Sequence, residues 1–325
     1  MSDDGTVTSD PPTSASADSD RSTERGEVVK AVPVRHPWRW VGVAVILLVL
    51  GMFAHMLVTN QAFGWRFMLE SATSPPVLEG VRNTLLLTVV SMVLGMVIGV
   101  LLAVMRLSGN PVFSAVAWAY VWFFRAVPRV VLLVLFGNIG ILYARLELGF
   151  PFDFWLKQQL GFDASLRIWG INSNVVFTAV VAAILGLALS EGAYMAEIVR
   201  AGMLSVDTGQ SEAASALGMT RGRSLRRIVL PQAMRVIVPP TGNETIAMLK
   251  DTALVAYVPY YELFFQLSNI GTRTFQPFPL LVAACLWYLA MSSVLMIVQY
   301  FVERYFSRGS RTARARMRAA GRGGA

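Results

Sequence analysis

Charged side chains set inside apolar stretches are the residues here with the most chemistry to offer. Glu191 follows the uncharged run Asn174–Ser190, while Glu244, Lys250 and Asp251 fall within Thr241–Val258. Arg125 and Arg129 interrupt a largely apolar segment reaching from Val112 to Ala144. A charge at bilayer depth is costly, so it faces the bundle interior and takes a partner. Glu244 precedes Lys250 by six residues and Lys250 adjoins Asp251, so neither pair shares a helix face and the partners must come from other helices. Opposite charges so placed can bind the ammonium and carboxylate of a zwitterion, or can pair with each other to hold the bundle. Both roles are open for Lys250 and Asp251; Glu244 and its neighbour Asn243 favour a polar pathway. Glu191 suits an ammonium group, or a salt bridge to Arg125 or Lys250. Arg125 and Arg129 lie four apart on one helix face, with Pro128 able to kink between them. They suit a gate or carboxylate contact, or snorkelling to lipid phosphates. Glu197 and Arg200, three apart, form a local ion pair.

Covalent chemistry has little material. A single cysteine, Cys285, excludes a disulfide framework and a cysteine-based zinc site, and only His36 and His55 could serve as imidazole acids, bases or ligands. A phosphate-cradling loop needs Gly-Lys-Ser/Thr, but Lys30, Lys157 and Lys250 follow Val29, Leu156 and Leu249. ATP is not bound by that route, and no catalytic residue or metal site is expected.

The elements that position the charges are read from hydropathy. Of 325 residues, 55% are hydrophobic and 15% charged, and mean hydropathy is +0.54, outside the range of soluble domains. A helix crossing about 30 Å of hydrocarbon needs roughly 20 apolar residues. Six spans are expected: Val41–Val58, Thr84–Met105, Val130–Ala144 extended backwards by Val112–Phe124, Asn174–Ser190 continuing to about Arg200, Thr241–Val258 and Leu280–Val302. Arginines mark one side. Residues 303–325 carry seven, and Arg200, Arg221, Arg223, Arg226, Arg227 and Arg235 crowd 199–238, whereas 59–83, 145–173 and 259–279 carry few. This excess places both termini in the cytoplasm. It also accounts for the net charge of +8 without nucleic acid as a partner. Residues 1–39 form a polar tail, expected to be disordered. The arginine-rich 305–325 tail is expected to touch anionic lipid.

The segment between the fourth and fifth spans is longer than a connector needs. Asp207 or Thr208 can cap a helix over Gln210–Leu217, Gly218 fits a left-handed C-terminal cap, and a second helix over Arg221–Val229 would stop at Pro231. Ala213, Ala214 and Ala216 offer a small-residue surface. Such a helix–turn–helix on the cytoplasmic face predicts a docking element.

Glu212-Ala213-Ala214, Gly218, Ile228, Leu230 and Pro231 match the signature of ABC importer permeases, spacing included. With Glu191–Arg200, Leu230–Arg235, Val238–Asn243 and Leu249–Leu254, the chain resembles the polar amino acid permease subfamily from about Gly80 to Arg304. The resemblance implies an all-α integral membrane fold, the type I ABC importer transmembrane domain. Its five-helix core would occupy 80–304, and an extra N-terminal span 40–60. It implies that 205–235 is the loop coupling to a cytosolic ATPase, with Glu212, Ala213, Ala214, Gly218, Ile228, Leu230 and Pro231 as its contact residues. Two ATPase subunits, carrying the ATP and Mg, a second permease copy or paralogue and an extracytoplasmic binding protein would be partners. An amino acid would cross the bacterial cytoplasmic membrane by alternating access past Glu191, Asn243, Glu244, Lys250, Asp251 and Arg125. The chain departs from the family at Arg125-Ala126-Val127-Pro128, usually Arg-Gly-Thr-Pro, at Glu191, usually small and polar, and at Glu244, more often Gln. The competing readings are an ion-coupled secondary transporter, which would call for an internal repeat, and a membrane scaffold without transport.

Overall fold

The computed structural model describes residues 38–149, 158–159 and 167–322. Most of the polar N-terminal tail, and Lys157, lie outside the described residues.

The chain divides after Thr59. Helix α1, Trp38–Thr59, buries none of its residues. Its sequence is apolar on every face, the composition of a single helix solvated by lipid.

The second unit is a helical bundle. Helix α2 (Trp65–Ala72) precedes α3 (Pro75–Leu107), whose 33 residues make a rod about 50 Å long. Pro75 and Pro76 open α3, where a missing N–H costs nothing. Asn110 then caps α4 (Pro111–Ala126), its side chain accepting from Val112 N at 2.9 Å. Helix α5 (Arg129–Gly137) follows at 97° to α4. Helix α6 (Ala179–Leu204) leads through a short helix α7 (Thr208–Ala216) to α8 (Leu230–Asp251). A 3₁₀ turn (Thr252–Tyr257), α9 (Leu263–Thr274) and α10 (Pro277–Arg322) complete it. An antiparallel hairpin pairs Arg145–Gly149 with Arg167–Asn172, a detail the hydropathy pattern did not mark.

Among the described residues four helices are long and apolar enough to cross a membrane, or five if the bent pair α4–α5 counts as one span. The fifth expected span, Thr241–Val258, falls on α8 and the turn after it. Pro239, Pro240, Asn243, Glu244, Lys250 and Asp251 make α8 too polar to qualify by composition. At Pro128 the expected kink is a break. Val127 sits in the extended region, as the residue before a proline prefers, and α4 ends before it.

The bundle is drawn together by α3 and α6. In α3, Gly95 and Gly99 form a Gly-x-x-x-Gly pair that lets α6 approach closely. A Cβ on Gly95 would lie 2.7 Å from both Cβ and Cγ of Glu191. One on Gly99 would collide with Met195 Cβ, and one on Gly192 would come within 2.5 Å of Ile98 Cγ2. Around this seam Leu102, Ala117, Val121, Ala193 and Ala196 form a small core joining α3, α4 and α6. Elsewhere Gln299 of α10 packs on Gly242 of α8 and donates to Pro239 O at 2.9 Å.

At the far end Glu262 caps α9, accepting from Phe264 N at 2.8 Å, Phe265 N at 2.5 Å and Tyr288 Oη at 3.1 Å. The carboxylate is fully buried, and that burial raises its pKa against the hydrogen bonds, which favour the charged form. Thr84 Oγ1 accepts from Leu263 N at 3.1 Å, tying α9 to α3.

Replacing Gly99 by Leu therefore lowers stability by about 1–3 kcal/mol or more, as overpacking does. Gly109→Ala, with open space at its Cβ, is neutral by comparison. Thermal unfolding of the detergent-purified variants, and their monodisperse yield, measures the difference.

Candidate substrate pathway and coupling loop

Arg129 opens α5 and reaches two helices at once. Its Nη2 donates to Glu191 Oε2 of α6 at 2.8 Å and its Nη1 to Asp251 Oδ2 of α8 at 2.6 Å. The Glu191 side chain is wholly buried, Arg129 is 12% exposed and Asp251 33%. The Arg129 guanidinium carbon also stands 4.9 Å from the centroid of the Tyr194 ring, one turn along α6 from Glu191, within cation–π reach. Glu244 of α8 bears electrostatically on Glu191, as does Asp251. Glu191 Oε1 is buried and has no hydrogen-bond partner among the described residues. Two carboxylates, from α6 and α8, thus share one guanidinium.

This geometry corrects the expected pairings. The partner of Glu191 is Arg129, not Arg125 or Lys250. Lys250 is exposed and makes no ion pair among the described residues. Asn243 is likewise exposed, beside the half-buried Glu244. The break at Pro128 removes the shared face of Arg125 and Arg129. Arg125 stays on α4, exposed, 5.5 Å from the Tyr194 centroid, and outside the ion-pair cluster. Glu197 and Arg200 pair as expected, Nε and Nη2 donating to Oε2 at 2.9 and 2.8 Å. Arg129 was the residue missed as a central member. Its position immediately after Pro128 was the available signal, since a proline-broken helix starts a new direction there.

An apolar cavity of about 600 Å³ lies between α3, α6, α8 and α10, with Thr241, Thr245 and Gln299 supplying polar edges. Among the described residues, no group of three or more His, Cys, Asp or Glu side chains is arranged to hold a metal ion.

The loop from 205 to 235 follows its local signals closely. Asp207 caps α7, accepting from Gly209 N at 2.8 Å. Gly218 adopts φ +73°, and the bonds Gly218 N to Ser215 O and Met219 N to Ala214 O, both 3.0 Å, form a Schellman ending. Ala214 is buried while Glu212, Ala213, Ala216 and Gly218 are exposed. Pro231 does not stop the next helix. Arg221–Ser224 passes through a π turn, Leu225–Val229, directly into α8, and Leu230 N donates to Leu225 O. The wider turn gives the proline ring room that an α turn denies it. Ile228 is half-buried, and Leu230 and Pro231 are exposed.

Residues 95–308 match the family described as binding-protein-dependent transport system inner membrane component. The chain belongs to this family: it is a multi-pass membrane permease subunit of an ABC importer, and the ATPase is a separate subunit. It is 44% identical over 301 residues to the arginine transport system permease protein ArgU of Corynebacterium glutamicum, covering 92% of this chain and 90% of that one. With the glutamate/aspartate import permease protein GltK of Escherichia coli it shares 35% identity over 246 residues, 74% of this chain and 98% of the other. The crystal structure of an amino acid ABC transporter with histidines superposes with a TM-score of 0.58 at 29% identity, covering 74% of this chain and 98% of that one. The fold is that of type I importer transmembrane domains, and family membership sets aside the secondary-transporter and scaffold readings.

Removing the guanidinium leaves two carboxylates facing each other inside the bundle. Arg129→Ala is therefore expected to cost about 3–5 kcal/mol, and adding Glu191→Gln to recover part of that loss. A double-mutant cycle by thermal unfolding reads both; strict additivity would show the pair is not coupled.

Proposed function

We propose that this chain carries a cationic amino acid, with arginine the foremost substrate, into the cell. The observation that carries the reading is the charge balance at Arg129, where Glu191 and Asp251 share a single guanidinium and leave the site with an acidic excess. An incoming guanidinium or ammonium complements that excess, whereas a second carboxylate opposes it. The long match to an arginine permease, which extends beyond the family core into the N-terminal span, supports the same choice.

In this mechanism two permease subunits, copies or paralogues, enclose the pathway, and an extracytoplasmic binding protein loads it. Both termini and the 205–235 loop face the cytoplasm, in line with the arginine distribution. Each loop receives one ATPase subunit, which brings the ATP and Mg, through Glu212, Ala213 and Gly218, while buried Ala214 seats α7 so that these face outward. Because the segment from Arg221 runs unbroken into α8, displacement of the loop moves Glu244 and Asp251 with it. Arg129 then exchanges a carboxylate partner for the substrate carboxylate, and the freed Glu191 or Asp251 takes the cationic end of the substrate as access alternates. Ile228, Leu230 and Pro231 set the angle at which the loop joins that helix, and Asn243 and Lys250 sit at the pathway edge.

Uptake of labelled arginine by cells expressing the full importer tests the substrate. Excess unlabelled arginine and lysine should abolish it, and excess glutamate should leave it intact; equal competition by glutamate would sink the cationic assignment.

A second test addresses coupling. The left-handed conformation at Gly218 costs a residue with a side chain roughly 1–2 kcal/mol. Gly218→Leu should lower ATP-dependent uptake about tenfold while the ATPase still co-purifies, although its Cβ meets nothing within 4 Å. Unchanged uptake with normal ATPase binding would remove the loop from the coupling path.

A further inference from the structure

Arg125 and Arg129, neighbours in the sequence pattern, part company in the fold. Arg129 turns into the charge cluster, and Arg125 is left exposed with no carboxylate partner among the described residues. With Arg106 of α3, Trp118 and Trp122 of α4, and Tyr194 and Glu197 of α6, it lines a pocket of about 430 Å³. Glu197 does not neutralise both arginines. Its Oε2 is taken by Arg200 at 2.8 Å, and Oε1 lies a long 3.4 Å from Arg106 Nη1. The pocket therefore presents two guanidiniums, on different helices, with spare donors. Each is a planar fork suited to an oxyanion with several acceptor oxygens.

The rest of the lining fixes the depth and the kind of anion. Trp118 and Trp122 are exposed and stack in parallel, 6.3 Å apart at 8°. Indoles of this kind mark the level of the lipid headgroups. Arg106 is one residue from the end of α3, and Glu197 is seven residues, about 10 Å, from the end of α6. Both ends lie on the side of the 205–235 loop. A site at headgroup depth, half polar and half aromatic, matches a ligand that carries a phosphate and an apolar remainder together. We propose that this pocket holds the phosphate of an anionic phospholipid headgroup, bridged by Arg106 and Arg125, with the lipid glycerol and upper chain against the two indoles. An occupant there rests on α3, α4 and α6 together and braces the Tyr194 ring, whose other neighbour is Arg129. Lipid composition thereby reaches the charge cluster without entering it.

The test uses the full-length chain, with the subunits that co-purify with it, in nanodiscs of phosphatidylcholine with and without phosphatidylglycerol. Lipid retained on the protein is read by native mass spectrometry. Phosphatidylglycerol should be retained in preference to phosphatidylcholine by the unaltered protein. Arg106→Ala and Arg125→Ala should each weaken retention about fivefold, and Arg125→Lys less. Equal retention of the two lipids by the unaltered protein overturns the proposal without reliance on any variant. So does undiminished retention by the Arg106→Ala/Arg125→Ala protein. Labelled inorganic phosphate that binds in phosphatidylcholine discs and displaces phosphatidylglycerol reassigns the site to free phosphate. Loss of labelled arginine binding in the double variant, with lipid retention intact, reassigns it to the substrate carboxylate.

Discussion

A guanidinium buried among helices needs carboxylates within reach, and Arg129 finds one on α6 and another on α8. That single side chain closes a triangle of three helices whose participants are 62 and 122 residues apart in sequence. Ion pairs of this kind add little net stability over a well-packed apolar core, but losing one partner is expensive. The constraint is therefore one of geometry. The α4–α5 break, the close approach of α6 to α3 and the course of α8 must all deliver their residues to the same point.

The glycine seam is how α6 meets its share of that requirement. Glu191 has Gly95 directly opposite, so its side chain occupies space that any Cβ on α3 would fill. In lipid there is no hydrophobic force between apolar helices, and close backbone approach supplies the packing instead. A buried carboxylate and a small-residue helix interface are here two aspects of one contact. Ser91, one turn before Gly95, and Ser190, beside Glu191, add buried hydroxyls without partners among the described residues along the same seam.

How far the sequence could be read follows the range of the interactions. The 205–235 loop was legible because its signals are local: Asp207 at the N-cap, the left-handed Gly218, and the spacing of Glu212 through Pro231. The long apolar runs gave α1, α3, α6 and α10 for the same reason. The two prolines were read by their usual consequences, and both acted otherwise. Pro128 broke a helix outright because Val127 had already left helical geometry, whereas Pro231 was absorbed by a π turn. Partners of the intramembrane charges could not be found from spacing, since the relevant neighbours come from different helices. Counting charges identified Glu191 and Asp251 as needing a cation, but only the α4–α5 angle shows which arginine arrives. Glu262, fully buried at the start of α9, carries no local signal of its burial, since its partner Tyr288 comes from α10.

The π turn at Leu225–Val229 has a consequence for register. One residue beyond an α-helical count shifts the phase of everything after it by about 100°. The face that α8 turns toward α5 and α6, and with it Asp251, is thus set by an insertion some twenty residues upstream. Deleting a single residue there would leave the loop and α8 each intact as helices. It would nonetheless rotate the helix so that Asp251 points elsewhere, making chain length in this turn a determinant of the cluster in its own right.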